Sequence, residues 1–274
     1  MINMKEFFGF GGYSRSPEGF MSWQHLTFVS ILLLIMVVSA IIIGRKNRNK
    51  DEKTKNNVLI LSAILIDSFE IFKIVLLCIR NENPMEWIYN LPLFLCSMQL
   101  MTIPLAAFSK GRLREAALDF VMIFGIVGAL AGTLGAGNIY SYYPVFSFDP
   151  MVSGITHCIS GFASLYIMFS GMASMKRKNV LITFAILTVA CVAAYIANVI
   201  IDYNYMFLMQ GDGTPYDILY NLVNGSPVLY PILVFAVFIV YITAFYLVYF
   251  RVGKKANSEE KIEQEKLQKY AVIK

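Results

Sequence analysis

Seven long apolar segments, separated by short charged loops, dominate this sequence of 274 residues. They cover approximately residues 25–43, 58–79, 88–108, 117–134, 151–173, 180–201 and 228–250. A helix needs about 20 mostly apolar residues to cross the roughly 30 Å hydrocarbon core of a bilayer. Charged residues make up only 15% of the chain, whereas a soluble domain carries about 25%. The pattern predicts an all-α polytopic membrane protein, folded as a seven-transmembrane helix bundle.

Lysine and arginine collect in alternate loops, and cytoplasmic loops of membrane proteins are enriched in these residues. The basic groups follow spans one, three, five and seven, at residues 45–55, 110–114, 176–178 and 251–255. The alternate loops at 135–150 and 202–227 contain neither residue, and the loop after span two has only Arg80. We therefore expect an extracytoplasmic N-terminal segment 1–24, a membrane domain 25–250 and a charged cytoplasmic tail 251–274.

Polar side chains recur at helical spacing inside several apolar segments, although a polar group in hydrocarbon is costly. They are Asp67, Glu70 and Lys73 in span two, Cys96 and Gln99 in span three, Ser153, His157, Ser160 and Ser164 in span five, and Cys191, Tyr195, Asn198 and Asp202 in span six. At 1.5 Å per helical residue, Cys96 lies about 12 Å and His157 about 9 Å from the outer ends of their spans. The shared depth predicts a polar pocket in the outer half of the bilayer, with His25 at its mouth.

Each of these features also has a purely structural interpretation. A cysteine in a membrane helix commonly serves as a small apolar residue. Glu70 and Lys73 are spaced for a structural ion pair. Serines in membrane helices bond to their own backbone, and the Gly128-xxx-Gly132 spacing in span four is typical of simple helix packing. A buried histidine needs a partner, so His157 indicates a site more strongly than the serines do.

Four runs of residues carry a resemblance: LPLFLCSMQL around Cys96, GALAGTLGAG, YYPVFSFDPMVSGITHC, and NYMFL ending at Leu208. They resemble the YwaF family of bacterial integral membrane proteins, which is related to the transmembrane protein 164 acyltransferase. The likeness covers about residues 20–250. It implies a lipid acyltransferase in which a membrane cysteine, here Cys96, carries the acyl group, and in which His157 matches the family's histidine in span five.

The residues themselves are consistent with acyl transfer by covalent catalysis. A thiol must lose its proton before it attacks an ester, so Cys96 requires a base, and His157 lies at similar depth. Asn198 or Asp202 is expected to orient the imidazole, and Gln99 or Asn204 to donate to the oxyanion. The catalytic candidates are Cys96, His157, Asn198 and Asp202, and the substrate-binding candidates are His25, Glu70, Lys73, Gln99 and Asn204.

The alternative is a small-molecule transporter or a membrane sensor or binding protein that uses Asp67, Glu70 and Lys73, because ionisable residues in membrane helices mark substrate and ion paths. No inverted repeat is visible, which weighs against transport. A retinal protein needs a lysine in its last span, and residues 228–250 contain none. Seven-span zinc hydrolases use three histidines, and this chain has two.

Membrane lipids are the expected partners, because the pocket opens at the outer leaflet, where lipid ester carbonyls lie. The net charge of +5 is explained by the cytoplasmic loops, so nothing indicates nucleic-acid binding. We expect no cofactor and no metal, and a location in a cell membrane, as a multi-pass protein of the bacterial plasma membrane. The oligomeric state is left open.

Overall fold

The computed structural model describes residues 4–173 and 175–272, with side chains described as far as residue 251. Within these residues the chain forms ten α-helices: α1 Met4–Phe7, α2 Trp23–Asn47, α3 Glu52–Arg80, α4 Gln99–Phe108, α5 Gly111–Thr133, α6 Gly137–Tyr142, α7 Phe148–Ser170, α8 Val180–Ile201, α9 Asp217–Leu222 and α10 Leu229–Val272. Short 3₁₀ helices lie at Glu86–Asn90, Arg177–Asn179 and Tyr205–Phe207. The side chains of the expected cytoplasmic tail beyond Arg251 lie outside the described residues.

Helix α5 lies at the centre of the bundle, in contact with α4, α7 and α8. In its most apolar stretch 67% of the residues are buried, against 17% in α2 and 22% in α10. Small residues permit the close approach to α7: a methyl group on Gly125 would stand 2.7 Å from Ser164 Cβ and 2.8 Å from the Ser160 carbonyl oxygen. These distances are too short for carbon contacts, so glycine is required there.

Five helices are long and apolar enough to cross a membrane: α2, α5, α7, α8 and α10. Large apolar side chains are exposed along the outer faces of α2, α8 and α10, among them Leu34, Ile42, Val189, Ile200 and Val240. Apolar surface of this extent indicates contact with lipid. The chain is thus a helical multi-pass membrane protein, while the count of seven spans and the direction of the chain remain predictions.

Helix α3 corresponds to the second predicted span but differs in composition from the other five. It is 29 residues long, and its middle carries Asp67, Glu70 and Lys73. Exposed apolar residues such as Leu61, Ile71 and Ile79 lie on its outer face. Its inner side contacts α4 and α7, so the charges of Glu70 and Lys73 lie among protein groups.

The third predicted span, 88–108, is not the continuous helix that its hydropathy suggests. A 3₁₀ turn at Glu86–Asn90 is followed by irregular backbone, and α4 has only 10 residues. Pro92 explains the break, because the residue before a proline is pushed out of the helical region, and Leu91 is extended at φ −63° and ψ 148°. Irregular backbone at membrane depth is tolerated where protein groups satisfy it, and here the Leu91 N–H donates to Tyr205 Oη at 3.0 Å.

The N-terminal segment folds back over the ends of α3 and α7. The guanidinium of Arg80 forms a bidentate ion pair with Asp149, at 2.6 and 3.0 Å, and also donates to the Phe8 carbonyl. Tyr13 donates to the same carboxylate, at 3.2 Å. The rings of Phe7 and Phe8 pack against Phe148. The lone arginine of the second loop therefore joins the N-terminal segment to the bundle.

Candidate functional site

A cavity of about 230 Å³ lies between α3, the irregular backbone at residues 91–98 and α7. Its walls carry a concentration of polar and ionisable side chains that is unusual for the interior of a membrane protein. Those that could act as acids, bases, nucleophiles or hydrogen-bond donors are Glu70, Lys73, Cys96, Ser153, His157 and Ser160. Residues predicted from three separate spans therefore line one cavity.

Cys96 lies in the turn that immediately precedes α4. The turn is closed by hydrogen bonds from the Met98 N–H to the Phe94 carbonyl, at 2.9 Å, and from the Leu100 N–H to the Ser97 carbonyl, at 3.0 Å. The positive end of the helix dipole favours negative charge near a helix N-terminus, and reactive cysteines are found in such surroundings. The break in span three thus places a thiol where a thiolate is stabilised.

His157 is held by the backbone of its own helix. Its Nδ1 lies 2.7 Å from the Ser153 carbonyl oxygen and 3.4 Å from Ser153 Oγ. Since a carbonyl oxygen only accepts, Nδ1 carries the proton, and in the neutral ring Nε2 is then the acceptor. A methyl group on Gly132 of α5 would overlap the ring near Nε2 and Cδ2. The glycine spacing of α5 therefore makes room for the imidazole.

The thiol of Cys96 and the imidazole of His157 line the same cavity and lie close enough to interact. Because Nδ1 is taken by the Ser153 carbonyl, Nε2 is the ring nitrogen left for the thiol. A nucleophile within hydrogen-bonding reach of a base that is itself oriented by a third group is the arrangement of covalent catalysis. Here the third group is a backbone carbonyl.

The structure does not bring Asn198 or Asp202 to this ring, which the sequence-based hypothesis had expected. Asn198 is buried and holds the backbone of Tyr205, accepting from its N–H at 2.6 Å and donating to its carbonyl at 3.0 Å. Tyr205 Oη in turn donates to the Ile88 carbonyl and accepts from the Leu91 N–H. Asp202 is an exposed residue that ends α8 at φ 52°. The polar stripe of α8 therefore supports the backbone before Cys96 and does not face His157.

Two predicted substrate-binding residues also lie elsewhere. His25 is fully buried and uses both ring nitrogens, with Nδ1 accepting from the Met21 N–H and Nε2 facing the Thr133 carbonyl at 3.2 Å. It stacks on Tyr140 and joins the start of α2 to the end of α5. Asn204 closes its own loop through Gln210 and Asp212. Neither residue lines the cavity of Cys96.

Glu70 and Lys73 do line the cavity, where they form an ion pair at 2.5 Å along one face of α3. Asp67, one turn earlier, does not line it. A second, polar cavity of about 350 Å³ adjoins the first and shares Lys73 and Ser153 with it. This outer cavity extends to the Arg80–Asp149 pair, so two cations lie along the route from the thiol to the N-terminal segment.

Gln99 and Ser160 are two of the buried donors that have no hydrogen-bond partner among the residues that the structure describes. Gln99 accepts from Thr102 at 3.2 Å, but its Nε2 donates to nothing, and it does not line the cavity. Ser160 is 2% exposed, lines the cavity, and its Oγ is likewise without a partner. Buried polar groups are nearly always satisfied, so Ser160 is a functional candidate. Sequence reasoning gave this serine little weight because such residues usually bond to their own helix.

The described part of the chain contains no group of three or more His, Cys, Asp or Glu side chains arranged to hold a metal. The lining of the cavity itself supplies the thiol of Cys96, the imidazole of His157 and the polar side chains around them. The bundle and this cavity define a class, namely multi-pass helical membrane proteins with a cysteine–histidine pair at a broken span.

The chain belongs to the TMEM164 family, whose model matches residues 20–249. The match includes every helix that lines the cavity and both members of the cysteine–histidine pair. No curated protein and no solved structure matches the chain.

Proposed function

We propose that the protein is a membrane-embedded lipid acyltransferase that works through an acyl-cysteine intermediate on Cys96, with His157 as the base. The juxtaposition of the Cys96 thiol and the His157 imidazole in one cavity of a membrane bundle carries the proposal. Family membership supports a membrane protein of this kind. The motifs around Cys96 further favour the YwaF branch of the family and a bacterial plasma membrane.

The proposed reaction has two half-reactions. His157 Nε2 takes the thiol proton as the sulfur attacks the ester carbonyl of the donor lipid, and the tetrahedral intermediate collapses as the lysolipid oxygen leaves with that proton. The acyl group is then a thioester on Cys96. In the second half-reaction His157 removes the proton of an acceptor hydroxyl, the oxygen attacks the thioester, and the sulfur leaves and regains the proton. Atoms and charge balance without a cofactor.

The Ser153 carbonyl fixes which nitrogen of His157 acts as the base. Its acceptance of the Nδ1 proton at 2.7 Å leaves the Nε2 lone pair directed away from its own helix backbone. When the ring becomes an imidazolium, the same carbonyl faces the increased positive charge at Nδ1 and stabilises it. The role assigned in catalytic triads to a carboxylate is proposed here for a backbone oxygen.

Ser160 is our candidate for the donor that stabilises the oxyanion. Its hydroxyl lines the cavity and makes no hydrogen bond within the described chain, so it is available without any competing bond being broken. Donors held ready in this way stabilise the charge that develops in the transition state. The N–H groups at the start of α4 lie beside Cys96 and add to the positive potential.

The polar cavities support a lipid with an anionic head group. Lys73 lines both of them and Arg80 lines the outer one, which suits a phosphate on the route to the thiol. Both cations are paired with carboxylates, so the local charge is near balance before a lipid enters. On this proposal Glu70 and Lys73 are substrate-binding residues, and the cavity lies in the outer half of the bilayer, as the distribution of basic residues among the loops predicts.

The test is acyl transfer by the purified full-length chain in proteoliposomes that contain a phospholipid donor and a lysophospholipid acceptor. Cys96→Ala and Cys96→Ser should both abolish transfer, and a hydroxylamine-sensitive acyl adduct should form on Cys96 of the unmodified chain. Cys158→Ala is the matched control, because Cys158 is a buried cysteine that packs with Met36 and Ala129 away from the cavity. Undiminished transfer in both Cys96 variants would overturn the proposal.

Transport is the second candidate, favoured by the Glu70–Lys73 ion pair that lines the cavity. Ion-coupled uptake of a small solute into proteoliposomes, abolished by Glu70→Gln and unaffected by Cys96→Ala, would favour it over acyl transfer. Acyl transfer that needs Cys96 in the absence of such uptake would exclude it.

A further inference from the structure

A third cavity, of about 200 Å³ and here called the apolar cavity, lies on the other side of Cys96 from the first. Phe94 and Cys96 line both cavities, so they form the wall between them. The apolar cavity runs along α5, where Phe124, Val127, Gly128 and Ala131 lie on its surface. The backbone of the Cys96 turn approaches α5 closely at this point, since a methyl group on Gly128 would lie 3.4 Å from Cys96 Cβ.

The two cavities differ in chemistry. The first holds the Glu70–Lys73 pair and His157, whereas the apolar cavity is lined by apolar and aromatic residues and includes no charged side chain. These environments fit a molecule whose polar head lies in the first cavity, whose carbonyl group lies at Cys96 and whose hydrocarbon chain lies in the apolar cavity.

The apolar cavity has a closed end and an open end. Phe124, Met206 and Phe238, on its inner side, are buried. Val127 and Ala131, on α5, are exposed beside the exposed apolar side chain of Leu130, so this end of the cavity opens at apolar surface. Since that surface is of the kind that contacts lipid, a hydrocarbon chain can enter sideways from the bilayer, between α5 and the residues that face it.

We infer that this apolar cavity binds the hydrocarbon chain of the fatty acyl group whose carbonyl reaches Cys96, with Ala131 at its opening as the residue that limits entry. The inference rests on the proposed function for the identity of the acyl group. The cavity itself is a hydrocarbon-binding site beside a thiol, and that can be tested without catalytic turnover.

The test uses N-alkyl maleimides, which alkylate thiols, with the full-length chain in lipid nanodiscs. Labelling of Cys96 by N-methyl and N-octyl maleimide is measured by peptide mass spectrometry. Labelling of Cys78 in the same sample is the reference. The ratio of Cys96 labelling to Cys78 labelling corrects for the higher concentration that the octyl reagent reaches in lipid. The octyl reagent should label Cys96 faster than the methyl reagent, relative to Cys78, because its chain occupies the apolar cavity.

Ala131→Trp should fill the opening and reduce this chain-length preference by about tenfold, since each buried methylene contributes a factor of about four, while labelling by N-methyl maleimide persists through the polar cavity. Leu130→Trp is the matched control, because Leu130 is an exposed neighbour on α5, 42% accessible, that does not line the cavity. It should behave as the unmodified chain does.

An unchanged preference in Ala131→Trp overturns the inference, and so does the absence of Cys96 labelling by both reagents. A normal preference together with no acyl transfer in proteoliposomes has a different meaning: the hydrocarbon site stands and the proposed acyltransferase activity fails. The two ideas are therefore separated by one pair of measurements.

Discussion

The geometry of His157 depends on a backbone carbonyl and on the space left by a glycine. The Ser153 carbonyl holds Nδ1, and Gly132 leaves the space that the ring fills. The shared depth of Cys96 and His157 was readable from the sequence, and the two residues do lie together. The backbone partner was not readable, because every residue has a carbonyl group and only the fold selects one.

Gly132→Ala should displace the His157 ring. The added methyl group overlaps the imidazole, so we expect a loss of about 1–3 kcal/mol in unfolding free energy and strongly reduced acyl transfer. Gly137→Ala is the control, because its methyl would meet only the Phe20 ring, at 3.8 Å, an ordinary contact, and Gly137 lines neither cavity beside Cys96. Thermal unfolding in detergent and the transfer assay measure both. Equal behaviour of the two variants would show that the ring position does not depend on Gly132.

Ser160→Ala should separate catalysis from stability. The hydroxyl bonds to nothing in the described chain, so unfolding free energy should change by less than about 0.5 kcal/mol, while kcat falls on the order of 100-fold if it stabilises the oxyanion. Ser164→Ala has the opposite profile, because Ser164 Oγ donates to the Met122 carbonyl at 2.7 Å. It should lose about 1 kcal/mol of stability and keep its kcat. Retained kcat in Ser160→Ala would remove this serine from the mechanism.

At the scale of single elements, the broken third span is the feature that hydropathy could not predict. A hydropathy window averages side chains and contains no information about backbone conformation, so residues 88–108 read as one helix. Pro92 was the available signal. The position of Asn198 has a related explanation. Its helical face is polar, as the spacing predicts, but that face contacts the loop at Tyr205. The spacing of residues does not show which element lies opposite a helical face.

Tyr205→Phe should loosen the backbone before Cys96. The change removes the bonds to the Ile88 carbonyl and the Leu91 N–H but keeps the ring that packs on Phe94. We expect a loss of about 1–3 kcal/mol, faster hydrogen exchange at residues 88–98 and reduced acyl transfer. Tyr166→Phe is matched in chemistry, since Tyr166 Oη also makes two bonds, to Asn47 and Lys55. Tyr166→Phe should lower the unfolding free energy by a similar amount and leave acyl transfer per folded molecule unchanged. An equal loss of transfer in both variants would contradict a special role for Tyr205.

At the scale of the whole molecule, composition was sufficient to predict a helical membrane bundle, and five of the expected spans are helices of suitable length and hydropathy. The two segments that do not qualify as spans by these criteria, α3 and residues 88–108, are those that build the cavity. Their departures from an ideal span, charges in one and a break in the other, are the source of the polar site. Charged and polar functional residues lower the mean hydropathy of a span, so a span that carries them is harder to recognise by hydropathy.

The number of crossings can be decided at the loop between these two segments. In a chain without its native cysteines, single cysteines are introduced by Lys50→Cys, Met85→Cys and Lys110→Cys, at residues that are all exposed. If α3 and residues 88–108 each cross, a membrane-impermeant maleimide added outside intact cells should label Met85→Cys, while the other two react only after the membrane is permeabilised. This result also gives the direction that the basic loops predict. Labelling of all three from one side would leave five crossings and would move the cavity of Cys96 and His157 out of the predicted outer half of the bilayer.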